Sequence, residues 1–266
     1  LRVTKDCGLL LTAWINGRGP YLFAVDTGAG MNILTQRVVG EAQLPLRSIR
    51  HMTIGGLSSA SATSNREAVI NQLALGDPSN SFRAQSALVV SALAPGIDGI
   101  LDPTAVYSPY GYSIDMPNQQ IEALSSMTTK TERPRLVEGA IVPWLRFGGS
   151  ARPFVRLGDG RLALIDTGSS FGLAVNERDA VVVGQRRGNQ PSQATRDIAG
   201  GRISSHRVSP TTITIGDLVL RSVPTDILFG VDDDAPVILG RDVLYPFKIT
   251  FDPQRRSIEF ITSEKS

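Results

Sequence analysis

The chain has 266 residues, 41% hydrophobic and 20% charged, with Gly 26, Pro 16 and Cys 1. That apolar fraction can fill a sizeable core, which excludes disordered and collagen-like classes, and the length allows one large domain or two small ones. Lys+Arg 27 against Asp+Glu 25 leaves a net charge of +2, scattered along the chain, so no nucleic-acid partner is expected. The longest apolar run, near Leu9 to Leu11, is far shorter than the roughly 20 residues a membrane span needs. Cys7 alone forms no internal disulfide, and with only His51 and His206 beside it neither a metal cage nor any other cofactor is expected.

Short apolar runs cut by Gly, Pro, Asn and Asp predict strands joined by tight turns along most of the chain. Asn16-Gly17 is a hairpin turn whose second strand runs into Asp26-Thr27-Gly28-Ala29, and a short helix is predicted over 35–42. Next come the glycine-bearing segment Ile54-Gly55-Gly56-Leu57, the run LALGD ending at Asp77, and Gly99-Ile100-Leu101-Asp102-Pro103. Two further strands flank a turn at Asp115 to Asn118, and the polar, Thr-rich stretch 125–135 reads as an exposed linker. The series then starts again. Gly158-Asp159-Gly160 is a hairpin turn leading to Asp166-Thr167-Gly168-Ser169, followed by a predicted short helix over 176–184. Gly200-Gly201, ITIGD ending at Asp217, Ile238-Leu239-Gly240, a short helix from Arg241 to Leu244 and the Asp252-Pro253 turn complete it.

The two DTG motifs lie 140 positions apart, and the other matched elements recur in the same order with slowly drifting offsets. The chain is therefore an internal duplication: a first lobe over 1–125, a linker over 126–136 and a second lobe over 137–266. One DTG is weak evidence, since a turn with a capping Asp explains it. Here both follow four apolar-leaning residues, 22–25 and 162–165, so a buried strand delivers each Asp into a loop. If the lobes pack about the two-fold axis the repeat implies, Asp26 faces Asp166. Two carboxyls at such range share one proton, so one can accept a proton from water while the other donates to a carbonyl oxygen.

With these residues the chain resembles the pepsin-like and retropepsin-like aspartic proteases, over most of both halves. The carriers are Asp26-Thr27-Gly28-Ala29, Asp166-Thr167-Gly168-Ser169, and Ile238-Leu239-Gly240 running into Arg241-Asp242. The resemblance implies an all-β fold of two pseudo-symmetric β-barrel lobes with a few short helices and the active site between them. It further implies a bacterial aspartic endopeptidase with a peptide or protein substrate, complete in a monomer. In that reading Asp26 and Asp166 are catalytic, Thr27 and Thr167 brace the loops, and Gly28 and Gly168 allow their approach. Ser169 is expected to hydrogen-bond the outer oxygen of Asp166, which Ala29 cannot do for Asp26. Flaps over the substrate are expected at Ile54, Gly55, Gly56 and Leu57 and at Gly200 and Gly201; no Tyr lies between Gly40 and Gly76, so the pepsin-type flap tyrosine is absent.

Asp102 departs from the family pattern, which has Gly there. It is either a buried carboxylate supplied with hydrogen bonds or, as Pro103 favours, part of a remodelled crossing with Asp102 turned outward. That residue keeps open a rival reading, a non-catalytic peptide- or protein-binding module retaining the fold. The run Asp232-Asp233-Asp234 reads as a solvated loop, His51 and His206 as surface or hydrogen-bonding residues near the flaps, and Trp14 and Trp144 as core. The start at Leu1 without Met suggests a removed leader and a periplasmic or secreted location; the lack of disulfides leaves the cytoplasm as the alternative.

Overall fold

The structure, a computed structural model, describes residues 1–4, 8–55, 61–124, 139–182, 193–196 and 202–263. Strands dominate, and the helices are short: Gln36–Glu41, Pro103–Val106, Glu177–Val182 and Arg241–Leu244. Three of these match sequence expectations. Pro103–Val106 was not anticipated, although its signal is present: Asp102 as N-cap followed by Pro at the first helical position. The Asn16-Gly17 turn joins Gly8–Ile15 to Arg18–Val25, with φ of 50° and 75° at its two central residues, the left-handed pair that a two-residue hairpin requires.

The first half builds a ten-stranded sheet in the order Leu46–Gly55, Ser61–Ile70, Gln85–Val90, Ile33–Thr35, Gly99–Leu101, Arg18–Val25, Gly8–Ile15, Leu73–Leu75, Ser81–Phe82, with Arg2–Thr4 branching from Gly8–Ile15. The second half repeats its central order in seven strands. From one edge these are Gln193–Arg196, Arg202–Ile215, Leu218–Phe229, Leu173–Asn176, Val237–Leu239, Leu162–Ile165 and Phe154–Arg156. Among the described residues neither sheet is a fully closed barrel; in the second half an isolated antiparallel bridge between Leu157 and Ile215 links the edge strand Phe154–Arg156 back to Arg202–Ile215. At the centre of each lies the same crossing. Gly99–Leu101 runs parallel to Arg18–Val25 and antiparallel to Ile33–Thr35, inserted between the strand that enters the first DTG loop and the strand that leaves it. Val237–Leu239 does the same between Leu162–Ile165 and Leu173–Asn176. These inserted strands are buried throughout, as covering on both faces demands, and accordingly read as unbroken apolar runs.

A third sheet ties the halves together. Its order is Gln120–Ala123, Tyr112–Asp115, Phe247–Asp252, Ser257–Thr262, Gly139–Pro143, with Ile114 opposite Ile249 at the junction between first-half and second-half strands. Tyr112 stacks on Phe251 at 4.6 Å between ring centroids, and Trp144 meets the same ring edge-on. The main hydrophobic core runs continuously through residues of both halves, so neither half buries its apolar face alone. Trp144 is buried as expected, whereas Trp14 is only partly buried; His206 is buried rather than superficial, and the side chain of His51 lies outside the described residues. Residues 232–234 are exposed, and among the described residues no helix is long and apolar enough to cross a membrane.

Candidate active site

Each DTG loop begins where its parallel ladder ends. The Asp26 N–H donates to the Leu101 carbonyl at 3.0 Å and the Asp166 N–H to the Leu239 carbonyl at 2.9 Å, so both loops leave their sheets at the same point. The loops then grip one another. Thr27 Oγ1 donates to the Ile165 carbonyl (2.6 Å) and accepts from the Thr167 N–H (3.1 Å); Thr167 Oγ1 donates to the Val25 carbonyl (3.0 Å) and accepts from the Thr27 N–H (3.1 Å). Both threonines are 0% exposed. Four reciprocal bonds between fully buried groups fix the separation and mutual orientation of the two loops, because breaking any one would leave a polar atom unsatisfied in the interior.

This grip brings Asp26 and Asp166 together across the axis. Each carboxyl packs on the opposite loop's glycine, so the two face one another and their charges interact. A Cβ placed on Gly28 would stand 2.8 Å from Asp166 Cγ, and one on Gly168 would stand 2.5 Å from Asp26 Cγ, so only glycine leaves room for the facing carboxyl. Backbone amides hold the outer geometry: Gly28 N–H donates to Asp26 Oδ1 at 2.8 Å, Gly168 N–H to Asp166 Oδ1 at 2.9 Å. Both aspartates remain partly solvent-accessible, which leaves an approach for water.

The pair is electrically lopsided. Burial, then the charge of Asp166 and the hydrogen bond to it, push Asp26 well above the ordinary carboxyl range. Burial also raises Asp166, but the hydrogen bond from Asp26, the N–H groups of Ser169 and Gly168 and the nearby positive charge of Arg241 pull the other way. The two carboxyls therefore titrate as a coupled pair raised above the ordinary carboxyl range, with the stronger upward push on Asp26 and the compensating groups gathered around Asp166.

Two expectations about the surroundings are corrected here. Ser169 does support Asp166, but through its backbone N–H at 3.1 Å; its hydroxyl instead accepts from the Phe171 N–H at 3.4 Å. Asp102 does not turn outward. It is 3% exposed, its side chain accepts from the Thr104 N–H at 2.9 Å, and its own N–H donates to Asn32 Oδ1 at 2.9 Å. The proline that suggested an outward path starts a helix instead, and the carboxyl turns in to cap it.

Ala29 sits on the first loop, its N–H donating to the Asp26 carbonyl at 3.3 Å. With Met31 it packs against Ile33, Leu88 and Ile100, a small apolar cluster separate from the main core. Phe171 packs in the same way against Ala174, Ile203, Leu228 and Ile238 in the second half. Neither group stands out in the sequence: Ile33, Ile100, Ala174 and Ile238 lie on the strands that leave the loops or cross behind them, whereas Leu88, Ile203 and Leu228 come from strands farther out in the sheets. Of the expected flap residues, the backbone of Ile54 and Gly55 ends a hairpin strand, paired with Ala62 and Ser61. Gly56, Leu57, Gly200 and Gly201 lie outside the described residues, as does the expected linker over 126–136.

No curated protein matches the chain. The family model described as aspartyl protease matches residues 11–101 and again 158–243, one match for each half, each containing one DTG loop and ending at or just beyond the crossing strand. These two matches cover well over half of the sequence, and the chain belongs to the aspartyl protease family.

Proposed function

We propose that the chain is an aspartic endopeptidase that hydrolyses peptide bonds with a water molecule activated by Asp26 and Asp166. The observation that supports this reading is the reciprocal bonding of Thr27 and Thr167, which holds the two DTG loops together so that the Asp26 and Asp166 carboxyls face one another. A peptide crosses the loops in extended form. Asp166, ionised, takes a proton from water as the water oxygen attacks the scissile carbonyl carbon. Asp26 gives its proton to the carbonyl oxygen, so a neutral gem-diol forms without charge accumulating on the substrate. Collapse of that intermediate returns a hydroxyl proton to Asp26 and passes the proton held by Asp166 to the departing amine, restoring the starting state.

Ala29, Met31 and Leu93 on the first-half cluster and Phe171 and Val231 on the second-half one are only partly buried and supply apolar surface suited to substrate side chains. One chain contributes both aspartates, so a monomer suffices.

The test is hydrolysis of a broad peptide library, by the wild type and by the Asp26→Asn and Asp166→Asn variants. The expected result is cleavage by the wild type alone, with each variant reduced by about 10³-fold or more at unchanged melting temperature. A folded wild type that binds library peptides without cleaving them would replace the enzyme reading with that of a binding module.

A further inference from the structure

We propose that Asp102 is a positioning residue for the catalytic proton: its carboxylate, set beside Asp26 by strand register, holds the shared proton on Asp26 and so commits Asp166 to activating water. This inference rests on the protease reading given above and deepens it.

The placement follows from two matched ladders. Leu101 pairs with Val25, so the next residues on these parallel strands, Asp102 and Asp26, stand side by side. Leu239 pairs with Ile165 in the same way, which sets Gly240 beside Asp166. The first half thus carries a carboxyl at the position where the second half has no side chain. The residue after it inverts the charge again. Pro103 is neutral, whereas its counterpart Arg241 is 7% exposed and donates from Nη1 to the Thr167 and Gly168 carbonyls at 2.9 and 2.8 Å. A negative group under one loop and a positive group under the other polarise the pair in a single direction.

The groups facing Asp102 do not neutralise it. Thr104 N–H bonds to its carboxyl, Thr104 Oγ1 in turn meets the Tyr112 hydroxyl at 3.1 Å, and Tyr107 and Tyr112 are phenols that burial keeps protonated. The charged group its carboxylate acts on is Asp26. No cation pairs with Asp102 among the described residues. Burial raises the Asp102 carboxyl to about 6, opposed by the Thr104 N–H. The charge of Asp102 thus develops as pH rises through about 6, and there, beside Asp26, it opposes loss of the proton from Asp26. The result is a singly protonated pair that persists to higher pH than the two aspartates alone would allow.

The test replaces the charge and keeps the helix cap. Asp102→Asn and Asp102→Ser both retain a side chain able to accept from the Thr104 N–H. The expected result is that the alkaline limb of the kcat/KM profile moves toward acid by about half a pH unit or more in both variants. The highest-titrating aspartate resonance in carboxyl-labelled protein should move with it. An unchanged limb and an unchanged resonance in a folded variant would overturn the proposal and leave Asp102 as a helix cap only. The carboxyl titration needs no substrate. Absence of hydrolysis in the wild type would thus refute the protease reading while the resonance still decides the coupling of Asp102 to Asp26.

Discussion

The two crossings behind the DTG loops follow one topology and are packed by different chemistry. In the second half, Gly240 lies so close to the loop that a Cβ there would stand 2.3 Å from the Phe171 carbonyl oxygen and 2.9 Å from that of Ser169. Backbone bonds seal this contact: Gly240 N–H to the Gly172 carbonyl at 3.0 Å and Arg241 N–H to the Ser169 carbonyl at 2.9 Å. In the first half, Pro103 has no N–H to offer, and the Asn32 side chain takes the bond from Asp102 N–H that a carbonyl takes in the other half. A side chain has replaced a backbone contact, and space for a carboxyl comes with the change. Duplication thus preserved the grip between Thr27 and Thr167 while the supports beneath it diverged, so nearly symmetric loops sit in an asymmetric field.

Exchanging the two crossing residues breaks this comparison most forcefully. Gly240→Asp must displace backbone atoms and bury a charge, and is expected to cost about 4 kcal/mol in denaturant unfolding. Asp102→Gly removes a cap from a site already shaped for a larger residue and, compared below pH 3.8 where its carboxyl is protonated, should change stability by about 1 kcal/mol or less. Equal costs would show that the two crossings are packed alike.

The next effect is on stability against pH. The Asp102 carboxyl is raised from 3.8 to about 6 in the folded chain, so the folded state binds more protons than the unfolded one in that window. Stability from this group is fully present below 3.8 and is lost as pH rises through about 6. The shift corresponds to about 3 kcal/mol, and Asp102→Asn should remove that part of the decline in urea melts run across the window.

The loops themselves should respond symmetrically. Gly168→Ala and Gly28→Ala each push the facing carboxyl aside and are expected to lower kcat by about 10²-fold with KM little changed. Thr27→Val leaves the Thr167 N–H and the Ile165 carbonyl without their partner, at an expected cost of about 2 kcal/mol. Thr167→Val should match it within about 0.5 kcal/mol, and a larger difference would show that the grip is not reciprocal.

Much of this was readable in the chain because it depends on local residue type. The paired DTG motifs, the apolar strands entering them and the Ile238-Leu239-Gly240 crossing are short patterns whose meaning survives without coordinates. The Asn16-Gly17 hairpin was equally plain. What escaped depends on three-dimensional packing. Pro103 signals a changed path, but whether Asp102 turns out to solvent or in to cap a helix is decided by the fit of Asn32 and Thr104 around it. The Ser169 hydroxyl was expected at Asp166 because its type suits that bond, whereas the loop curvature supplies the backbone N–H instead. The apolar clusters around Ile100 and Ile238 were hidden because residues buried on both faces of a sheet look alike in sequence.

The central claim is that one Asp from each half forms a single proton-sharing pair that activates water, and the most direct measurement is the pH profile of peptide hydrolysis by the wild type beside the two Asp→Asn variants, over about pH 3 to 7. A bell-shaped profile for the wild type, lost in both Asp26→Asn and Asp166→Asn while their unfolding transitions persist, is the predicted result. Hydrolysis that continues in either folded variant with the same profile would contradict it.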